Sequence, residues 1–503
     1  MKKFFLLLLM TAVWLAGQSP AEAQSQNKLL DKHRKAIGGG AAKRVRSTVI
    51  RGAVKGDGAA AGLFLYQTAG PDRLRTDIEA GGSTVSESYN GKSAWRLDGR
   101  GLRTLLGAEA KRLRLRALLA TTRTHDLSRN RIFPQAPVKA TVEGRDANAI
   151  EFIRDEVSVK LYFDAATNLI VKQERETLEG LEEVFYGDYR PVDGVMEPFS
   201  IRVRHGEKES LVTVDRVEHN RGIDESAFRH PQVAGAAPLP DLESLMKSVI
   251  ANQEKIEELR EQYTYRQTET EREIDKGRIK KSETRVYEVT PVAGSAVRRL
   301  VSRDGKALSE AELAKEDRRV QKEVEDLLKA REKRKAREKK ARERNQKGGD
   351  DEDEDITILS FLKTSEITSV RREAFRGHEV IAFDFEPRKG FKPRSRIEKL
   401  VGKLAGTMWI DEAARQIVRV EARLTDSFKM GGGLLASLSP STAVAFEQQK
   451  IGDEVWLPSY SEANISARVL LLAKFSRNVV TRFSDYSKVK IESEYEVTKP
   501  KQQ

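Results

Sequence analysis

The sequence contains no cysteine. Disulfides, thiolate metal sites and a lipid-modified N-terminal cysteine are therefore excluded. A chain of 503 residues does not need such staples, because it is long enough to bury two or three apolar cores. Histidine is scarce as well. The six present (33, 125, 205, 219, 230 and 378) are scattered singly, mostly beside turns, and none has a positioned partner of the kind a general base needs. They read as surface or cap residues, and His33 as a packed or half-exposed residue on a helix face. The chain also lacks G-x-S-x-G, H-E-x-x-H, a Walker motif and a dinucleotide fingerprint. No catalytic site can be assembled from these residues, and the expectation is a protein that is not an enzyme and uses no cofactor.

Long apolar runs are missing after the first. Lys2 and Lys3 precede the short apolar segment Phe4 to Ala16, and Ala21-Glu22-Ala23 has the small-residue pattern of a cleavage site. Residues 1–23 read as a signal peptide cleaved after Ala23, which places the remainder in the periplasm. Removing two Lys and one Glu lowers the formal net charge from +13 to +12.

What is present is mostly β signal. Short alternating runs ended by Gly, Asp-Gly or Asn-Gly fill residues 45–98 and resume after a helical stretch at 108–121. In that stretch Leu113, Ala117 and Leu118 take one side, with Arg112, Arg114 and Arg116 as its fringe. Asn90-Gly91 is a strong hairpin turn. Residues 27–37 form a short helix stopped by Gly38-Gly39-Gly40. Residues 232–240 are an Ala-, Gly- and Pro-rich linker, and Asp241 can cap the helix after it.

One pattern occurs twice. Tyr162-Phe163-Asp164 and Trp409-Ile410-Asp411 each lead into a polar turn and a returning apolar run. An Asp there can accept a hydrogen bond from the backbone two residues on and so start a turn. Two further blocks match in the same order: VEGRDANAIEFI with FRGHEVIAFDF, and YGDYRPVDGVMEPFSIRV with FEQQKIGDEVWLPSYSEANI. Duplication explains three ordered blocks better than chance. Asp164 and Asp411 are then turn residues of separate domains, not a catalytic pair. Gly431-Gly432-Gly433 reads as a flexible loop with Leu434 and Leu435 at its tip.

The second half carries an interruption. Ser309 and Glu312 form a capping box, and 309–346 has no Gly or Pro, so a long helix is expected. From Lys329 to Lys347 there are eleven Lys/Arg and three Glu, and Asp350–Asp355 supplies six acids. This stretch reads as a solvated single helix or coiled coil, or as a dock for an anionic membrane surface. Nucleic acid is disfavoured, because no aromatic residues interleave with the charge.

The blocks AIGGG, AAKRVRSTVIRGAV, PDRLRTDI, YNGKSAWRL, VKLYFDAATNLIVKQE, YGDYRPVDGVMEPFSIRV and IDESAFRHP resemble the outer-membrane lipoprotein-sorting proteins (LolA/LolB-like) and their uncharacterised relatives. The resemblance spans about 27–231, with a more divergent version over 241–496. It implies a mainly β, α+β fold: an unclosed antiparallel β-barrel of about eleven strands per copy, with helices on its concave face, enclosing an apolar cavity for acyl chains. The expected domains are 24–231 and 241–496, with the charged helix and acidic loop at 309–355 inserted in the second. Dedicated carriers are single-domain, and none of their lipoprotein-gripping residues carries over. The implied partner is a lipid or an acylated lipoprotein. The alternative is a structural or interaction module of an envelope complex, with sealed cores and the charged helix as its dock. The cavity-lining candidates are Phe64, Tyr66, Trp95, Phe152 and Phe163 in the first copy, and Phe383, Phe385, Trp409 and Trp456 in the second. Strand parity alone does not separate a dry core from a lipid cavity.

Overall fold

The computed structural model describes residues 20–56, 61–177, 180–232, 237–343, 361, 363–430, 436–452, 455–469 and 473–489. The hydrophobic segment before Pro20, the Gly431–Leu435 loop and the Asp350–Asp355 acidic run lie outside these residues. The chain divides into two compact units, one over Met1–Arg100 and Thr104–Arg229, the other over Gly101–Arg103 and His230–Gln503.

Unit 1 opens with helix α1 (Pro20–Ala36) and a short α2 (Gly40–Arg44). Six strands between Ser47–Gly56 and Gly101–Leu105 then form a meander. Helix α3 (Gly107–Thr122) follows, and a second meander of six strands runs from Arg145–Arg154 to Lys208–His219. The two meanders join because strand Ser47–Gly56 pairs antiparallel with strand Lys208–His219. The result, among the described residues, is a single 14-stranded antiparallel sheet that does not close on itself.

Turn chemistry sets the hairpins. Asn90 Oδ1 accepts from the backbone amides of Lys92 (2.9 Å) and Ser93 (2.8 Å), while Gly91 takes φ 90°, where a side chain would be strained. Asp164 Oδ1 accepts from the amides of Ala166 (3.0 Å) and Thr167 (2.7 Å) and from the Thr167 hydroxyl (2.9 Å). These bonds hold its carboxyl below the usual carboxylate range. Gly52 sits at a bulge in the seam between the meanders, where an added Cβ would lie 2.3 Å from the Thr213 carbonyl oxygen.

Unit 2 repeats the order. Helix α4 (Leu242–Arg260) is capped by Asp241, whose side chain accepts from Ser244 N at 2.9 Å. A meander begins at strand Tyr263–Asp275, helix α5 (Glu310–Glu343) follows, and a second meander ends at strand Ala473–Lys488. Again the first strand pairs with the last, Tyr263 opposite Lys488, within a sheet that is 13-stranded and open among the described residues. The Ser309–Glu312 box is made in both directions: Glu312 Oε2 accepts from Ser309 N at 2.9 Å, and Ser309 Oγ accepts from Glu312 N at 3.4 Å. The first turns of α5 are clamped to strand Ser295–Arg303. Glu316 accepts from Leu300 N (2.9 Å), Asp317 from Arg299 (2.7 Å), and Arg319 donates to the Arg298 carbonyl. None of the described side chains of α5 is fully buried.

The two Asp hairpins agree in detail. In each, the register shifts between the second and first residues before the Asp, at Tyr162/Phe163 and Trp409/Ile410. In each, the fourth residue after the Asp is left-handed: Asn168 at φ 58° and Arg415 at φ 54°.

Candidate functional site: a cavity between sheet and helix in unit 1

Alternate residues of a strand face one side of a sheet. In unit 1 this brings rows of side chains across the first meander onto one face, and α3 packs against that face. One row runs Ile50, Tyr66, Thr76, Glu87, Arg96, each opposite the next in register. A second runs Phe64, Ile78, Val85. From the other meander comes Leu161, Gln173, Val184, Val203. All of these line a cavity of about 400 Å³, with Leu119, Ala120 and Arg116 of α3 along another wall. That volume is within the ~300–1,000 Å³ usual for small-molecule sites.

The lining is apolar at the rows' aliphatic positions and ionic in a band between them. Arg116 of α3 donates to Glu87 at 2.5 Å. Burial alone would raise the Glu87 carboxyl, but Arg116 beside it and Arg175 nearby hold it down at about 2. Arg175 pairs with Glu182 directly across the strand. Burial lowers the Arg175 guanidinium, and Arg116 adds repulsion. At the end of α3, Arg123 donates to Glu197 at 2.7 Å, and His219 Nε2 shares the same carboxylate oxygen at 2.8 Å. Burial would raise Glu197, but His219 and Arg123 keep it below its ordinary value. Tyr66, Tyr186 and Tyr189 also line the space, and burial pushes each phenol up, so all three stay protonated. Thr124, itself buried, lines the cavity with a hydroxyl that has no hydrogen-bond partner among the described residues.

His33 of α1 closes one side. Its Nδ1 is 2.9 Å from the Asn168 carbonyl, an acceptor, so Nδ1 carries the proton. Its ring meets Phe163 edge-on at 4.9 Å between centroids. Burial lowers its pKa to about 4, so it is neutral near pH 7. His33 and His219 are thus interior residues. His33 is packed, as its place on an apolar helix face implies, whereas the surface assignment drawn from scattered sequence positions fails for His219, which is buried beside Glu197.

The nine aromatic candidates separate. Phe64 and Tyr66 line the cavity. Trp456 lines a recess in unit 2. The other six are not among the side chains lining either space. Phe152 and Phe163 are fully buried in a cluster with Leu29, Leu30 and Leu115. Trp95 is fully buried, donating its indole N–H to the Phe228 carbonyl at 2.9 Å. Phe383 and Phe385 pack with Met246 and Val249 of α4. Trp409 is fully buried and donates to Glu373, which belongs to a buried set with Arg371 and Asp384. Phe163 and Trp409, both named from the sequence as cavity-lining candidates, are core residues. Both sit one or two positions from a turn, where the register shift turns them into packed protein.

Sequence reasoning missed the ionic band. A signal was available. Glu87 has the parity of Val85, Arg175 that of Gln173, and Glu182 that of Val184, so charged residues occupy inward positions. Arg116 lies three residues after Leu113 on the apolar face of α3, and it points inward instead of fringing the helix.

No family model and no curated protein matches this chain. Solved structures do. The chain is similar to a LolA superfamily protein from Nitrosomonas europaea, at 15% identity over 41% of this chain and 97% of that one, with a TM-score of 0.30. It is similar to a DUF1329 family protein from Desulfovibrio piger, at 11% identity over 41% of this chain and 98% of that one, TM-score 0.30. The MucA/MucB complex of Pseudomonas aeruginosa matches over 92% of this chain and 99% of that one, at 8% identity and a TM-score of 0.18.

Proposed function

We propose that the protein is a non-enzymatic binding protein of the periplasm that takes a lipid or a lipoprotein acyl chain into the unit 1 cavity, in the manner of a carrier. One observation supports this most: α3 stands off from the sheet face over aliphatic rows and leaves about 400 Å³ between them. Burying an apolar chain there stabilises the complex by roughly 25 cal/mol per Å² removed from water. The buried ion pairs give the same space a polar band at which a headgroup or ester can hydrogen-bond. The export signal read from residues 1–23 supports the compartment, and no helix among the described residues is long and apolar enough to cross a membrane. The domain limits 24–231 and 241–496, and an origin by duplication, are part of the same reading. The shared element order and the paired hairpin details support them.

The test is uptake of a fluorescent fatty acid by delipidated protein, with native mass spectrometry of the protein as purified. Ile201→Trp fills the cavity from the sheet side. It is expected to abolish uptake while the protein stays folded by circular dichroism. Wild-type protein that neither retains lipid nor takes up the probe would sink the proposal.

A second reading has its own observation. Among the described residues, helix α5 is clamped through its first turns and leaves its side chains exposed or half-exposed. That arrangement suits a dock for an envelope partner or an anionic surface through Lys329–Lys347. Deleting 309–355 is expected to remove that association, read by vesicle or partner co-sedimentation, and to leave fatty-acid uptake unchanged.

A further inference from the structure

Unit 2 has its own recess, of about 740 Å³, and its walls differ in kind from the cavity above. One rim is the turn of the second Asp hairpin, with Asp411, Ala413 and Ala414. The turn is fixed from behind by α4: Asn252 Nδ2 donates to the carbonyls of Ala414 (3.1 Å) and Arg415 (3.2 Å). The recess is therefore preformed.

Its charged groups are unevenly committed. Glu447 is buried, with Arg376 at 2.5 Å on one oxygen and Arg419 on the other. Asp411 Oδ1 accepts from Ala414 N at 2.8 Å. Both lining carboxylates are thus engaged. Arg482 and His378 line the recess, are exposed, and form no ion pair among the described residues. Arg376 and Lys450 are also on the wall, so among the described residues three permanent cations line the recess beside two carboxylates.

Two acceptors find no partner among the described residues. Gln448, only 6% exposed, donates Nε2 to the Ile417 carbonyl at 3.1 Å, while its Oε1 accepts from none of them. The buried Ser459 Oγ likewise has none among the described residues. A buried oxygen without a donor is costly, so a ligand that brings one is favoured. Phe375, Trp456 and Tyr460 supply aromatic surface. The Tyr460 hydroxyl is tied to Glu462 at 2.6 Å and Arg419 lies 5.7 Å from its ring centroid, so Tyr460 contributes ring, not hydroxyl.

A ligand that fits brings hydroxyl donors for Gln448 and Ser459, an anionic group for Arg482 and Arg376, and a ring that lies on Trp456. The polar density of the wall disfavours an acyl chain. From these groups together we infer that the unit 2 recess binds an acidic saccharide. Its carboxylate or phosphate makes charge-assisted bonds to Arg482 and Arg376, and its sugar ring stacks on the aromatic wall.

The experiment is isothermal titration calorimetry of the full chain with three probes: a galacturonic acid trimer, an uncharged galactose trimer and adenosine monophosphate. Tryptophan quenching is a second readout, since of the three tryptophans among the described residues Trp95 and Trp409 are fully buried and Trp456 is not. The acidic trimer is expected to bind and to quench. Trp456→Phe should remove the quench, and exposed Arg482→Gln, which leaves the fold intact by its melting temperature, should weaken binding about tenfold. Equal binding of the neutral trimer, tighter binding of the nucleotide, indifference to Arg482→Gln, or no heat with any probe would each overturn the inference.

Discussion

Glu87 and His33 border the same cavity, and both have lowered pKa values with different consequences. Glu87 stays charged because Arg116 outweighs its burial, holding it at about 2 against an ordinary 4.5. Its contribution to stability is complete above pH 4.5 and is lost as pH falls toward 2. His33 stays neutral, at about 4 against an ordinary 6.5. Its unfolded form takes up a proton first, so stability is complete above pH 6.5 and falls between 6.5 and 4. His230, also lowered by burial and by Arg371, adds a slope of the same sign. His33→Gln is expected to flatten the pH 4–6.5 slope of urea-unfolding stability by a few kcal/mol over the range, leaving the slopes from His230 and from His125, which burial also lowers. Glu87→Gln should cost about 3 kcal/mol or more at pH 7, because it leaves Arg116 buried beside a neutral amide. Glu182 also attracts Arg116, and a variant as stable as wild type in urea would show that Glu182 alone suffices for it. These groups were hard to read from sequence because charge in a strand ordinarily marks the solvent face. Here the ions neutralise one another in the interior: Glu87 and Glu197, more than 100 residues apart, each pair with an arginine of the α3 stretch, and Arg175 pairs with Glu182 on the next strand.

At the scale of the element, the Asp hairpins are the best test of local design. The turns were legible, since Asp, the following polar residues and the returning apolar run are all local. So were the caps at Asp241 and Ser309, and Asn90-Gly91. What lies behind each turn was not legible. Phe163 meets His33 of α1, and Trp409 meets Glu373, both distant partners that close the space a cavity would need. Arg415 occupies the left-handed position that Asn168 fills in the first hairpin. A non-glycine residue there carries roughly 1 kcal/mol of backbone cost. Arg415→Gly should therefore raise stability by about 0.5–1 kcal/mol, since Asn252 bonds only its carbonyl. Thermal melting checks this, and a fall in melting temperature would show that the Arg415 side chain carries an interaction of its own. Asp164→Ala removes three accepted hydrogen bonds and should cost about 1–3 kcal/mol by urea unfolding.

For the whole molecule, each unit has a helix, a meander, a second helix and a second meander, that of unit 2 being interrupted by a short helix at Arg396–Val401, and the amphipathic α3 of the first has the charged α5 at its place in the second. Each unit has its own apolar clusters and its own sheet, so calorimetry is expected to resolve two transitions. Glu87→Gln should lower one and leave the other. A single transition that shifts as a whole would mean the units unfold together.

In each sheet the strand that begins the first meander is hydrogen-bonded to the strand that ends the second, Thr48 to His219 and Tyr263 to Lys488. Pairing across so much intervening chain is slow. During synthesis neither sheet can be joined until its final strand has emerged. Until then, each half-sheet exposes a bare edge at what will be its middle. A chain cut short before Lys208 or Ala473 keeps that edge for good, and its expected fate is edge-to-edge aggregation instead of a smaller folded protein.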